Sequence, residues 1–123
     1  HHCHCKDCQR TTGCGKATIL YIASKNIKVD GELKFYDSKG SLGMTIRRGF
    51  CENCGSGVLS YAKELPLLKF VKAGTLEDSS WVKVDSVFFT KSANQWDMPA
   101  DDIKCYEVNP NMLDNLKSVI KAL

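Results

Sequence analysis

Three cysteines in the first eight residues, Cys3-His4-Cys5-Lys6-Asp7-Cys8, constrain this chain more than any other feature. Spacings of one and two residues are too tight for disulfides that close long loops, but they suit sulfurs converging on one ion. Zinc accepts thiolates at about 2.3 Å in a tetrahedron, and a short turn can present three of them together. Three protein ligands leave one position for solvent or substrate, as in a catalytic site, whereas a fourth ligand from Cys14 or a histidine would close it. Spacing alone leaves both arrangements open.

Cys51-Glu52-Asn53-Cys54-Gly55 has the form of half a zinc knuckle, with Gly55 letting the chain turn back beneath a metal. Such a pair needs two more ligands. Cys3 and Cys5 could supply them, giving one closed four-cysteine site and leaving Cys8 a buried thiol. A Cys51–Cys54 disulfide ranks lower, because no secretory leader accompanies it. Cys14 and Cys105, standing alone, read as small buried apolar residues. His1 and His2 read as a chain end more readily than as ligands.

Seven cysteines in 123 residues, without a leader, point to reduced thiols and a cytoplasmic setting. With 43% hydrophobic and 25% charged residues the composition is that of a globular chain, and residues 1–123 are expected to form a single domain. No apolar run is long enough to span a bilayer, so no membrane partner is expected. The net charge of +3 comes from lysines scattered among acids rather than from a basic stripe, which argues against nucleic acid.

The body reads as mainly β. Residues 18–23, 45–50, 58–61, 68–73 and 84–90 are short runs rich in β-branched and aromatic side chains, separated by Gly, Pro and Ser/Asp breaks. Asp30-Gly31, followed by alternating Leu33 and Phe35, predicts a hairpin. Only the C-terminus has helical period: Asn109 is placed to cap, Pro110 suits the first turn, and Met112, Leu113, Leu116, Val119, Ile120 and Leu123 share one face. That face is expected to cover the sheet. Trp96, after a strand, is expected in the core.

These residues resemble a known family. Cys3-His4-Cys5-Lys6-Asp7-Cys8-Gln9-Arg10-Thr11-Thr12-Gly13 is similar to the Cys-His-Cys-x-x-Cys-x-Arg-x-x-Gly signature of the glutathione-dependent formaldehyde-activating enzymes, the group that also contains centromere protein V. Arg48-Gly49-Phe50-Cys51-Glu52-Asn53-Cys54-Gly55-Ser56 resembles the family's Arg-x-Phe-Cys-x-x-Cys-Gly-Ser segment. Ala73-Gly74-Thr75-Leu76-Glu77-Asp78 resembles its Ala-Gly-Ser-Leu-Asp-Asp stretch, and residues 90–96 fall where it has Ser-x-x-x-Trp.

The resemblance implies a β-tent fold of short antiparallel sheets with a C-terminal helix. It also implies two zinc sites: a catalytic one on Cys3, Cys5 and Cys8, and a structural one that Cys51 and Cys54 share with an earlier Cys-x-Cys. This chain starts at the triplet, so the expectation is that a preceding segment supplies that earlier pair. The implied reaction is carbon–sulfur lyase chemistry, the reversible addition of a thiol such as glutathione to formaldehyde or a related small aldehyde. Arg10 and Arg48 are candidates to meet glutathione carboxylates. His4 is expected to point away from the metal, as a hydrogen-bonding group behind it. A non-catalytic zinc module that binds another macromolecule is the competing reading.

Overall fold

The structure, a computed structural model, describes residues 1–123. Eight strands form one sheet: β1 (His2–Cys3), β2 (Ala17–Ala23), β3 (Lys34–Lys39), β4 (Thr45–Phe50), β5 (Gly57–Ala62), β6 (Leu68–Lys72), β7 (Ser86–Phe88) and β8 (Lys104–Cys105). Their spatial order is β3-β4-β5-β6-β2-β1-β7-β8. Two helices complete the chain, α1 (Lys6–Thr12) and α2 (Met112–Ala122). The mainly β expectation holds, and so does the terminal helix.

Topology brings the extreme N-terminus into the middle of the sheet. β1 pairs antiparallel with β2, placing Cys3 opposite Ala17, and parallel with β7, placing Cys3 opposite Phe88. The His1 backbone nitrogen donates to the Ile19 carbonyl at 2.8 Å, and the His1 ring stacks on Phe88 with centroids 3.8 Å apart. Cys3 and Cys8 therefore belong to the buried cluster that also holds Ala17, Ile19 and Phe88, with Tyr21, Phe70 and Tyr106 packed around it. Inward-facing small and branched residues on β2 and β6 let the two strands pair along Ile19–Ala23 against Leu68–Lys72, a ladder of five residue pairs.

Several sequence expectations need correction. The hairpin turns not at Asp30-Gly31 but between β3 and β4, through residues 40–44; residues 27–33 form no strand. Gly43, at φ 82°, supplies the left-handed residue that this turn requires. The strand expected over 84–90 shrinks to Ser86–Phe88 because Phe89 adopts φ 60°, a left-handed conformation incompatible with continued pairing. Cys14 and Cys105 are exposed, not buried. Trp96 is 71% exposed: it sits on a 3-10 turn whose inward side chain is Asp97, held by Lys16 Nζ at 2.6 Å.

The C-terminal helix begins two residues later than expected. Asn111, not Asn109, is its cap, its side chain accepting the Asp114 N–H at 2.9 Å. Its apolar stripe does not cover the sheet: Leu113, Leu116 and Ile120 are 62%, 54% and 63% exposed. Polar anchors turn the helix instead. Lys104 Nζ and the Tyr106 hydroxyl both donate to Asp114 Oδ2 at 3.1 Å, which directs the side carrying Asp114, Asn115, Ser118 and Val119 inward. No helix is long and apolar enough to cross a membrane.

Candidate metal centre

Helix α1 was not foreseen, and it builds the site. Cys5 is its N-cap, with extended backbone and a sulfur that accepts the Cys8 N–H at 3.4 Å. Gly13, left-handed at φ 66°, closes the other end by donating to the Gln9 carbonyl at 2.8 Å. Cys3 leaves the sheet edge-on, Cys5 caps the turn and Cys8 follows one turn into the helix, so three side chains converge. Their Sγ atoms all lie within 4.8 Å of one another, and no other His, Cys, Asp or Glu joins the group.

Cys51 and Cys54 stand outside the cluster, so the closed four-cysteine site is not formed, and Cys14 does not complete it either. All seven cysteines are free thiols, which removes the Cys51–Cys54 disulfide.

Gln9 fastens the hook to the rest of the molecule. Its Nε2 donates to the carbonyls of His4 at 2.7 Å and Ser92 at 2.9 Å, while its Oε1 accepts from Asn94 at 2.9 Å. The segment that resembles the family's Ser-x-x-x-Trp motif thus contributes a strap through Ser92 and Asn94. Gln9 and Asn94 were missed in the sequence; polar residues at fixed offsets from the cysteines were the available signal.

The electrostatics are those of crowded thiols short of positive charge. Cys5 is driven well below the ordinary thiol range by the Cys3 and Cys8 thiols donating to it, helped by the Cys8 N–H and Arg48. Cys3 is pushed up because it is the donor to Cys5 and Cys8 and is buried. Cys8 is raised as well: Cys3 pulls it down, but Cys5 and burial outweigh that pull. A divalent ion suits this donor set: zinc–sulfur bonds of about 2.3 Å place tetrahedral sulfurs about 3.8 Å apart, within the span observed here. Three thiolates around a divalent ion would carry a net charge near −1.

Two cations stand near. Arg48, on β4 with a side chain 14% exposed, pairs with Asp7 at 3.8 Å and donates to the Ser38 hydroxyl. Lys72 ends β6 facing the same space, and burial holds its ammonium below the ordinary lysine value while Cys8 pulls the other way. Arg10 is exposed and lies outside this space, so of the two candidate arginines only Arg48 reaches it. Lys72 carried no motif of its own, only its place before Ala73-Gly74-Thr75.

His4 turns away from the sulfurs. It is 1% exposed, and both ring nitrogens lack a hydrogen-bond partner, as does the buried Oδ2 of Asp97. Burial keeps its imidazole below its usual pKa against the opposing pull of Asp97. The backbone here is close: a Cβ on Gly15 would collide with Asp97 Oδ2 and lie 2.7 Å from Asp97 Cβ. His4, Gly15, Lys16 and Asp97 therefore form a tight backing behind the triplet.

The second pair forms its turn but not a cluster. Gly55 N–H donates to the Cys51 carbonyl at 2.7 Å, Cys51 N–H to the Ser56 carbonyl at 2.9 Å, and Gly55 has φ 78°. Cys54 is exposed with its sulfur 3.2 Å from the Ser56 hydroxyl, which with Cys51 holds the thiol below its ordinary value. Two sulfurs on a preformed knuckle can bind metal only with donors from elsewhere.

A cavity of about 460 Å³ opens onto Cys3, Cys5 and Cys8 and extends along the sheet beneath α2 and the 40–44 turn. No curated protein matches the chain closely enough to add a named relative. The family model described as "Glutathione-dependent formaldehyde-activating enzyme" matches residues 1–92, three quarters of the chain, including the Cys3-Cys5-Cys8 triplet and the Cys51-Cys54 pair. A triplet of converging thiols on a strand–helix hook, in a chain matched over that length, places this protein in the glutathione-dependent formaldehyde-activating enzyme family.

Proposed function

We propose that this protein is a zinc-dependent carbon–sulfur lyase that adds glutathione, or a similar thiol, to formaldehyde or a related small aldehyde, with Cys3, Cys5 and Cys8 as the ligands of the catalytic zinc. The observation that carries this reading is the position of the three sulfurs at one end of a cavity that also presents Arg48 and Lys72. A zinc ion bound there would lower the pKa of a visiting thiol at neutral pH, the chemistry that a tri-thiolate site of net charge near −1 favours over activation of water.

The chain's own residues do the rest. Lys72 and Arg48 attract the carboxylates of the thiol substrate and hold its sulfur toward the triplet; an arginine meets a carboxylate through paired hydrogen bonds. Buried Phe88 and half-buried Phe89 exclude water from one side of the sulfurs, which strengthens each of those charge interactions. The sulfur then adds to the aldehyde carbon: a C–S bond forms, the carbonyl π pair moves to oxygen, and the thiol proton ends on that oxygen. Tyr21, whose hydroxyl is kept protonated by burial with its pKa raised to about 12, lines the cavity as a donor for that oxygen.

In this reading residues 1–123 act as one domain of a cytoplasmic protein. A second, structural zinc on Cys51 and Cys54 would need two further donors. An open cavity beside the sulfurs supports the enzyme over a closed binding module.

Exchange NMR tests the reaction. Zinc-loaded protein should accelerate interconversion of free glutathione and S-hydroxymethylglutathione, and Cys5→Ser should lower that acceleration at least about a hundredfold, since even outer-sphere partners of metal ligands are worth ten- to a hundredfold. Equal exchange rates with and without protein would overturn it.

A further inference from the structure

The cavity beside the sulfurs must admit the thiol as well as the aldehyde, and away from its charged end its lining suits neither a peptide backbone nor a one-carbon aldehyde. Of the 27 residues around its roughly 460 Å³, 15 are hydrophobic, and 12 remain when the three cysteines of the triplet are set apart. Sites that bind small molecules through their hydrocarbon parts have this makeup: a mostly apolar wall with a few charged groups at one end. Lys6, Asp7, Arg48, Lys72 and the triplet supply the charged end, and Lys39 lines the rim beside the 40–44 turn. The remainder runs away from them along Ile46, Leu68 and Phe70 on the sheet to Met44 on the 40–44 turn and Val119 on α2.

The roof is built for this. Asn109, just before α2, donates to the Ser41 hydroxyl at 2.5 Å, joining the helix approach to the turn above the same space. The Asp114 anchors direct Val119 and Asn115 into it. A one-carbon aldehyde would leave these walls in contact with water, whereas a hydrocarbon chain would cover them.

We propose that the aldehyde partner of this site carries a hydrocarbon body, alkyl or aromatic, which lies in the apolar arm of the cavity while its carbonyl carbon faces the sulfurs. The product is then a glutathione hemithioacetal with a hydrophobic substituent. Its formation balances as for formaldehyde: one C–S bond is made, the carbonyl oxygen takes the thiol proton, and nothing is oxidised or reduced. The substrate class rests on the proposed reaction, but occupation of the apolar arm does not, because stable thioethers can report it without turnover.

The test is calorimetric titration of the zinc-loaded protein with S-methylglutathione and S-hexylglutathione, which share the peptide and differ by five methylenes. S-hexylglutathione should bind at least tenfold more tightly. Val119→Asp and Met44→Glu, each checked for folding by circular dichroism and placed on different elements, should shrink that ratio toward one. Equal affinities for the two thioethers in the unaltered protein would overturn the proposal, as would a ratio that neither folded variant changes. Acceleration of formaldehyde exchange is read separately, so a protein that catalyses it yet fails the thioether test sinks only the hydrocarbon substrate and spares the reaction.

Discussion

The two cysteine motifs of this chain look alike in sequence and end up in different physical states. Cys3, Cys5 and Cys8 are drawn together by a central strand and a helix cap, two of them buried, in a cluster backed by Ile19 and Phe88. Cys51 and Cys54 sit on a turn at the end of β4, with Cys54 exposed and no third donor. The difference lies in what holds the backbone. The triplet is fixed by β1 pairing on both sides and by Gln9 bonding to three partners, whereas the pair relies on its own knuckle turn. Preorganised thiols bind metal without first ordering the chain; a lone pair of sulfurs must recruit.

The largest expected effect would break the comparison outright. Cys5→Ser or Cys8→Ser should abolish metal retention at the triplet after challenge with a mild chelator, while Cys54→Ser should leave that metal in place; elemental analysis of the three variants reads the outcome. Loss of the same metal in Cys54→Ser would show that the two motifs are not independent.

Next comes the backing of the triplet. Gly15→Ala forces a Cβ against Asp97 and should destabilise the fold by about 1–3 kcal/mol, the usual cost of overpacking. Gly55→Ala meets no neighbouring atom and carries only the penalty of its φ of 78°, about 1 kcal/mol. Denaturant melts of both variants sharpen the contrast between a packed site and an open one.

Gln9→Ala removes the strap between the hook and residues 92–94. Leaving the His4 and Ser92 carbonyls without this donor should cost about 1–3 kcal/mol in a chemical melt and weaken metal affinity at the triplet about tenfold or more. Unchanged affinity would mean that the cysteines need no outside positioning.

The smallest effect is a pH dependence. Lys16 bonding to Asp97 holds that carboxyl below its ordinary value of 3.8. A depressed acid contributes stability that is whole above the unfolded value and is lost as pH falls through the folded one. Stability behind the triplet should therefore decline below about pH 4, and Asp97→Asn should flatten that part of the acid melt. An acid melt identical in the two proteins would remove Asp97 from the account.

Much of this was legible in the sequence. The strands over 18–23, 45–50, 58–61 and 68–73 fell where β-branched runs and glycine breaks put them, because central strands buried on one face have strong local patterns. The helix after Cys5 was hidden by its brevity: seven residues carry no hydrophobic period, and its cap is a cysteine, a residue outside the usual capping set. The inward face of α2 was misjudged because polar bonds to Asp114, not its apolar stripe, orient it. Trp96 was misjudged for a similar reason, since the Lys16–Asp97 pair decides which side of its turn faces in. The converging sulfurs were legible from spacing alone; Lys72 and the apolar arm of the cavity were not, because they are assembled from strands distant in sequence.

Cobalt in place of zinc offers the most direct measurement, since its thiolate charge-transfer and ligand-field bands report how many sulfurs surround it. In protein carrying Cys51→Ser and Cys54→Ser, only the triplet can bind the ion. Titration with glutathione should shift these bands toward a four-sulfur spectrum and saturate at one thiol per metal. A spectrum that glutathione leaves unchanged, or a protein that binds no cobalt with its triplet intact, would contradict the account.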